Sequence, residues 1–167
     1  MAETIRKIEY FYIETPNKPG EAARALAALR DAGVNLLAFT GFPHGRRAQL
    51  DFIPEDTVAF KAAAKKAGLK LSLKKTGFLI QGDDRKGAIA DIVEKLAAAK
   101  VNITAMDAMS AGAGRYGAVL WVKAPDMRKA TKVFSALTST TPAPSQPGPA
   151  VPTEPAAPAA AAENQPM

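Results

Sequence analysis

The turn before the first predicted helix carries groups that can hold a small charged molecule. Asn17 brings an amide that donates and accepts hydrogen bonds, and Gly20 lies where the following helix leaves backbone N–H groups unpaired. A residue without a Cβ lets an anion approach these N–H groups closely. The turn therefore has donors for a carboxylate and an oxygen for an ammonium, which are the two charged groups of an α-amino acid.

A second asparagine, Asn35, stands at the start of the next predicted strand. We expect this strand to begin near the turn in an antiparallel sheet, so that Asn35 reaches the same ligand from the side. Asparagine after a helix end also commonly fills a left-handed or side-chain-capped turn, and this alternative stays open for Asn35. Gly20 could likewise be only a turn residue.

The same positions recur later in the chain. Asp84, Gly87 and Asn102 stand 67 positions after the three residues above. An aspartate at position 84 repels a carboxylate but can take an ammonium, and Asn102 and Gly87 have the same turn-forming alternatives as their counterparts. We also expect the adjacent pair Asp83 and Asp84 to cap the following helix.

These positions belong to a unit that is repeated once in the sequence. Residues 10–39 and 77–106 match without a gap, and each copy reads strand, helix, strand, hairpin, strand, helix. In both second helices the apolar residues fall at i, i+3, i+4 and i+7, which is one stripe of a helix. The first unit adds a closing strand in which Leu69, Leu71 and Leu73 alternate with polar residues. We therefore predict an α+β fold of two ferredoxin-like βαββαβ units in tandem, with helices on one face of an antiparallel sheet.

The second unit lacks its last strand in this pattern. The strand would fall at residues 139–143, which are polar and include Pro142. The strand at residues 78–81 would then keep a free edge, which the segment Ile5 to Ile8, another chain or the first unit's sheet could cover. Apolar residues on both strand faces also suggest that the two sheets associate. We expect this pairing within the chain or in a homodimer.

The end of the chain differs from the rest. Residues 138–167 are rich in proline and alanine and predict a disordered tail, which is either a tether to a partner or a solubilising extension. No apolar run approaches the roughly 20 residues that span a bilayer, and the first residues are too polar for a signal peptide. We expect a cytoplasmic protein that does not contact a membrane.

The charge of the chain is basic, with a formal net charge of +6. Six lysines lie between residues 61 and 75 without an acidic residue among them: Lys61, Lys65, Lys66, Lys70, Lys74 and Lys75. Such a patch attracts phosphates, RNA or an acidic protein, or is simply a solvated face. The third strand of each unit lacks the glycine-and-aromatic pattern of RNA-binding modules with this topology, so nucleic acid is not an expected partner.

The sequence lacks the side chains that most often carry out catalysis. His44 is the only imidazole, and the absence of cysteine removes thiol nucleophiles, disulfides and thiolate metal ligands. The glycines do not form a phosphate-binding fingerprint. We therefore predict no catalytic residue, no metal site and no cofactor.

A family resemblance follows from the first turn. A strand that runs into Asn-Lys-Pro-Gly at residues 17–20, a helix, and then Ala-Gly-Val-Asn-Leu at residues 32–36 resembles the signature of ACT domains, small regulatory modules that bind amino acids in metabolic enzymes. The second copy departs from it, because its turn lacks the proline and Lys100 replaces Gly33. The resemblance extends over residues 5–137.

The resemblance implies two ACT-like units, residues 1–75 and 76–137, followed by the tail at residues 138–167. It implies these ligand-binding residues: Asn17, Pro19, Gly20, Asn35, Asp84, Gly87 and Asn102. The expected function is a non-catalytic sensor that binds an amino acid at the seam between units and regulates a partner or pathway. The alternative is a regulatory subunit or scaffold whose units serve only for assembly with a partner enzyme, and an RNA-associated basic protein is a weaker third.

Overall fold

The computed structural model describes residues 3–139 of the 167-residue chain. Its first half consists of β1 (Thr4–Pro16), α1 (Glu21–Asp31), β2 (Leu36–His44), β3 (Arg47–Pro54) and α2 (Thr57–Lys66). Its second half consists of β4 (Lys75–Asp83), α3 (Ala88–Ala98), β5 (Ile103–Gly112), β6 (Arg115–Val122), a short 3-10 helix (Ala124–Asp126) and α4 (Met127–Ser139). The repeated order of strands and helices is confirmed. Of the tail predicted at residues 138–167, Thr138 and Ser139 still belong to α4, and the rest lies outside the described residues.

All six strands form one antiparallel sheet in the order β2-β3-β1-β4-β6-β5. The long strand β1 joins the two halves, because residues 11–16 pair with β3 and residues 4–10 pair with β4. Its N-terminal part thus takes the position that the missing last strand of the second unit would occupy in a ferredoxin-like order. The expectation that Ile5 to Ile8 cover the edge of β4 within the chain is confirmed.

The prediction of a closing strand in the first unit is wrong, because its residues do not form a regular strand. The leucines at positions 69, 71 and 73 lie in irregular chain that runs beside β1. The backbone N–H of Ser72 donates to the carbonyl of Tyr12 at 2.8 Å. The hydroxyl of Ser72, however, accepts the N–H of Tyr12 at 3.0 Å in place of a backbone carbonyl. A serine side chain that competes with the backbone in this way interrupts a strand ladder.

The helices pack on one face of the sheet. Ile5 contacts the core beneath α3 and α4, and Phe11 belongs to the core beneath α1 and α2. Because both are odd-numbered positions of one strand, the two helix pairs lie on the same side. The predicted stripes are confirmed in α2, where Phe60 and Ala64 are fully buried, and in α4, where Ala130 is.

The opposite, open face of the sheet is also apolar. Its buried residues come from both halves of the chain: Ile8, Ile53, Leu79, Val119 and Trp121. Tyr10 packs against this cluster and meets Trp121 edge to face, with 5.8 Å between the ring centroids. The predicted association of the two halves is therefore found within the chain, as one continuous sheet with a shared open-face cluster.

Candidate ligand-binding site

The first turn is exposed and ends in a left-handed glycine. Asn17, Pro19 and Gly20 all lie on the surface at the end of β1. Gly20 has a φ of 91° and begins α1 without a side-chain cap, and a Cβ built there would meet nothing within 4 Å. A non-glycine residue would be strained at this φ, so the glycine keeps both the turn and the space before the helix N-terminus.

A carboxylate that the sequence reasoning did not single out stands beside this turn. Glu21, the first residue of α1, accepts hydrogen bonds from Arg24 at 3.0 Å and from the buried hydroxyl of Thr15 at 2.9 Å. Lys18 lies 3.6 Å from it. The hydrogen bond from Arg24, followed by that from Thr15, lowers the pKa of Glu21. An acidic residue in the first turn of a helix was the signal that could have found it.

The second turn lines a cavity of about 250 Å³. Asp84 and Gly87 border this cavity together with Ser110 of β5 and Tyr116 of β6. Gly87 has a φ of 80° and begins α3 without a side-chain cap, as Gly20 does for α1. The two glycine turns are therefore locally alike.

The expectation that Asp83 and Asp84 cap α3 is wrong. Asp83 forms an ion pair with Arg115 at 2.7 Å, and Asp84 accepts a hydrogen bond from Ser110 at 2.8 Å. Both carboxylates thus turn toward the β5–β6 hairpin, because its strands bring a cation and a hydroxyl to this end of the sheet. The helix N-terminus is left with backbone N–H groups and Gly87.

Two further side chains shape the cavity and were missed from the sequence. Arg85 pairs with Asp91 at 2.5 Å, and this hydrogen bond raises the pKa of the guanidinium. Tyr116 is buried and its hydroxyl donates to Glu3 at 3.3 Å; burial raises its pKa to about 12. Tyr116 reaches the cavity through strand pairing from a distant part of the chain, so no local motif indicated it.

The two asparagines that follow helices lie elsewhere. Asn35 donates its side-chain N–H to Glu55 at 2.9 Å, and Asn102 is exposed at the start of β5. Neither residue has a positive φ. Gly33 and Lys100 take the left-handed position after their helices instead, with φ of 72° and 55°. The left-handed-turn interpretation of Asn35 and Asn102 is therefore wrong.

The expectation that Asn35 reaches the ligand of the first turn is wrong within one chain. Pro16 is level with Arg47 on β3, whereas Leu36 is level with Pro54. Seven residue steps at about 3.3 Å place the two levels roughly 23 Å apart. The physical reason is that β1 and β2 run in the same direction, so the end of one and the start of the other lie at opposite ends of the sheet.

The second unit repeats this separation. Asp83 is level with Arg115 on β6, and Ile103 is level with Val122 at the other end of the same strand. The structure therefore brings Asp84 and Gly87 together in one cavity and places Asn102 far from them. The turns of the two units also lie apart from each other, because β1 and β4 are antiparallel.

The described helices contain no segment long and apolar enough to cross a membrane. No protein-family model matches the chain, and no curated protein matches it by sequence.

Solved structures do resemble it. A protein from Bacteroides thetaiotaomicron superposes with a TM-score of 0.70 at 20% identity, over 79% of this chain and 89% of that one. The ligand-free regulatory subunit of aspartate kinase from Thermus thermophilus gives a TM-score of 0.57 at 16% identity, over 82% and 97% of the two chains. A structure of aspartokinase alpha and beta subunits gives 0.54 at 17% identity, over 83% and 98%. At these identities the likeness establishes the fold, which is the predicted tandem of ferredoxin-like α+β units.

Proposed function

We propose that this protein is a non-catalytic sensor, which binds an amino acid at its glycine turns and regulates a partner protein or pathway. The observation that carries the proposal is the cavity at the second turn, where Asp84 and Gly87 lie before the uncapped start of α3. The fold supports it, because the chain resembles a protein described as a regulatory subunit of aspartate kinase.

The second turn offers complementary charges to an α-amino acid. The backbone N–H groups in the first turn of α3 suit the carboxylate, and the space before them is open because a Cβ at Gly87 would meet nothing within 4 Å. The exposed carboxylate of Asp84 suits the ammonium while it keeps the hydrogen bond from Ser110. Tyr116 and Arg85 form part of the wall.

The first turn offers a related but different set of groups. The amide of Asn17 replaces the aspartate, Pro19 stiffens the turn, and Gly20 leaves the start of α1 open. Glu21 already holds a negative charge beside this turn. The first turn would therefore take the ammonium near Glu21 and bind a carboxylate less strongly than the second.

A second copy of the chain would complete both sites. β2 and β5 are the two outer strands of the described sheet, with Asn35 and Asn102 at their starts. If two copies pair antiparallel through the same outer strand, the start of one strand lies beside the end of the other. Asn35 or Asn102 of one copy then lies at the sheet end that carries the matching turn of its partner. We therefore include a homodimer in the proposal, with the ligand at the seam between units of two copies.

A thermal-shift screen of the twenty amino acids tests the proposal. A ligand present at about 100 times its dissociation constant adds about 2.7 kcal/mol to the free energy of unfolding, which raises the melting temperature measurably. We expect one amino acid, or a small chemical group of them, to give this rise. If none of the twenty changes the melting temperature, the sensor proposal fails.

Matched variants locate the site. Asp84→Asn removes one negative charge at the cavity while an oxygen remains to accept from Ser110, and we expect it to weaken binding about tenfold or more. Glu94→Gln removes one charge from the exposed face of α3 and should leave the dissociation constant unchanged. Asn17→Ala tests the first turn in the same way. Equal binding by all three variants would exclude both turns.

Assembly without a ligand is the second candidate function. Phe42 on β2 and Met109 on β5 are 45% and 68% exposed, and both outer strands have unpaired backbone groups within the described sheet. Such edges are ready templates for pairing with another chain. Light scattering of the ligand-free protein separates the two candidates. A stable oligomer that no amino acid alters would favour assembly alone.

A further inference from the structure

A cavity of about 410 Å³ lies at the edge of the open-face cluster, far from the glycine turns of the proposed sensor. Its wall includes the rings of Tyr10 and Trp121 and the side chain of Met127, at the start of α4. No function has been assigned above to any of these residues. The cavity also takes in the end of the lysine-rich segment that the sequence analysis left unexplained.

All the ionisable and hydroxyl groups of this wall suit a negative ligand. The ammonium groups are those of Lys74, Lys75 and Lys123, and the hydroxyls are those of Tyr10, Thr76 and Thr104. No aspartate or glutamate is among the lining residues. Lysine ammonium groups attract phosphate as point charges, and threonine hydroxyls donate to its oxygens.

Trp121 provides an independent indication. Its side chain is only 6% exposed, and its indole N–H has no acceptor among the described residues. A buried donor without an acceptor costs free energy, and native proteins rarely retain one without a reason. The indole N–H can only donate, so the group that would satisfy it is an acceptor such as an anionic oxygen.

A neighbouring glycine fixes the position of the indole. Gly77 faces Trp121 across the strand pair, and a Cβ at this glycine would lie 3.2 Å from Cδ1 and 3.3 Å from Nε1 of the indole. The indole therefore packs directly on Gly77, and a larger residue at position 77 would displace the ring from the wall of the cavity.

Among the described residues, Lys74 is the one of these three lysines that forms an ion pair. Lys74 forms an ion pair with Glu9 at 2.6 Å, whereas the ammonium of Lys75 lies over the ring of Tyr12, 4.6 Å from its centroid. Lys123 is exposed at the end of β6. Two ammonium groups match the charge of a phosphate monoester, which is close to −2 at neutral pH.

The adjoining cavity restricts the position of the anion. It has a volume of about 310 Å³, shares Tyr10, Thr104 and Trp121 with the first, and contains the carboxylates of Asp51 and Asp107. These carboxylates repel an anion and confine it to the end with the lysines.

We infer that the cavity bordered by Lys75, Lys123 and Trp121 binds a small phosphate monoester with an apolar body. The phosphate accepts from the indole N–H and the two ammonium groups. The apolar body contacts the ring of Tyr10 and the side chain of Met127.

Nuclear magnetic resonance of the full chain tests the inference directly, because Trp121 is the only tryptophan and gives a single indole N–H signal. Phenyl phosphate supplies both the phosphate and an apolar ring, inorganic phosphate supplies only the anion, and benzoate supplies a single negative charge on the same ring. We expect phenyl phosphate to move the indole signal downfield and to bind more tightly than the other two. An unmoved signal, or tighter binding of benzoate, would overturn the inference.

Charge-matched variants separate this cavity from general attraction by a basic protein. Lys75→Gln and Lys123→Gln should each raise the dissociation constant of phenyl phosphate about tenfold, as expected for the loss of one charge-assisted hydrogen bond. Lys65→Gln, on the exposed side of α2, should leave it unchanged. An equal effect of all three variants would mean that no defined site exists.

Trp121→Phe separates recognition from folding. Phenylalanine keeps an apolar ring but removes the unpartnered N–H, so we expect calorimetry to show about tenfold weaker binding while the melting temperature does not fall. Unchanged binding would contradict the role of the indole. The outcome is independent of the sensor proposal, because amino acid binding depends on the distant turns.

Discussion

Gly82 lies in β4 at a place where the neighbouring side chains leave no room for a methyl group. A Cβ there would come within 2.6 Å of a ring carbon of Tyr116 and 3.0 Å of Glu3. Tyr116 is buried, so its ring cannot move away freely. We expect Gly82→Ala to lower the free energy of unfolding by about 1–3 kcal/mol, the usual cost of overpacking. Urea denaturation measures this difference.

The control for this variant is in the paired strand. Gly117 is also a strand residue, but a Cβ there would meet nothing within 4 Å. Gly117→Ala should therefore leave stability nearly unchanged or raise it slightly. If both variants lose the same stability, the contact with Tyr116 is not the cause.

Asp51 is a carboxylate that is only 6% exposed. Burial raises its pKa above the ordinary 3.8, although hydrogen bonds from Gln49 and Thr40 oppose the shift. A raised pKa means that the folded state binds the proton more tightly than the unfolded chain. Stability is therefore lost as the pH rises from below 3.8 through the folded-state pKa.

An asparagine at position 51 would remove the charge and keep an oxygen that accepts the hydrogen bond from Gln49. We expect Asp51→Asn to unfold at a higher urea concentration than the wild type at neutral pH, and this advantage to disappear below pH 3.8. An advantage that is equally large in acid would show that packing, and not ionisation, is responsible. Asp31→Asn, at an exposed position in α1, is the matched control.

Of the helices α1, α2 and α3, only α2 begins with a side-chain cap. The carboxylate of Asp56 accepts the backbone N–H groups of Val58 at 2.8 Å and Ala59 at 3.0 Å. We expect Asp56→Ala to cost about 1 kcal/mol of stability, because two N–H groups lose their acceptor. Thermal or urea unfolding measures the loss. Asp56→Ser should recover most of it, and a serine variant as unstable as the alanine variant would contradict the capping role.

The helices and most strands were predictable because their patterns are local. The stripe at Phe60 and Ala64 and the alternating strand residues report one face of one element at a time. The closing strand failed because leucine alternation does not reveal that the Ser72 hydroxyl replaces a backbone partner of Tyr12. The predicted meeting of Asn17 and Asn35 failed for a different reason. It depends on the relative direction of two strands, which no local motif encodes.

The site was predictable in part. The glycine turns follow from residue type, since a positive φ favours glycine, and both Gly20 and Gly87 adopt one. The wall of the cavity at the second turn was not predictable. Its residues Ser110 and Tyr116 come from a hairpin whose register with β4 is set by the whole sheet. Trp121 was recognised only as a strand residue. Its unpartnered N–H becomes apparent once its neighbours are in place.

For the molecule as a whole, the N-terminal part of β1 is the strand that closes the second unit. Residues 4–10 pair with residues 75–81 and contribute Ile5 and Ile8 to two different apolar clusters. We expect deletion of residues 1–8 to expose the edge of β4, to lower the stability of both units together and to promote self-association. Hydrogen exchange of the β4 amides and light scattering measure these effects.

The contrasting truncation removes residues 140–167. Their composition predicts no contribution to a packed core, so the same two measurements should be unchanged. If loss of residues 1–8 changes only the exchange of β4 and leaves the first unit as stable as before, the two units are less coupled than the shared strand indicates.

The shared strand has a consequence for synthesis. Residues 4–10 cannot complete their pairing with β4 until Gln81, the partner of Thr4, has also emerged from the ribosome. During that interval Ile5 and Ile8 stay exposed to solvent and to chaperones, and the second unit cannot form without this earlier segment of the chain. The pairing of this segment therefore waits until β4 has been translated, and a pause in translation before that point prolongs the exposure.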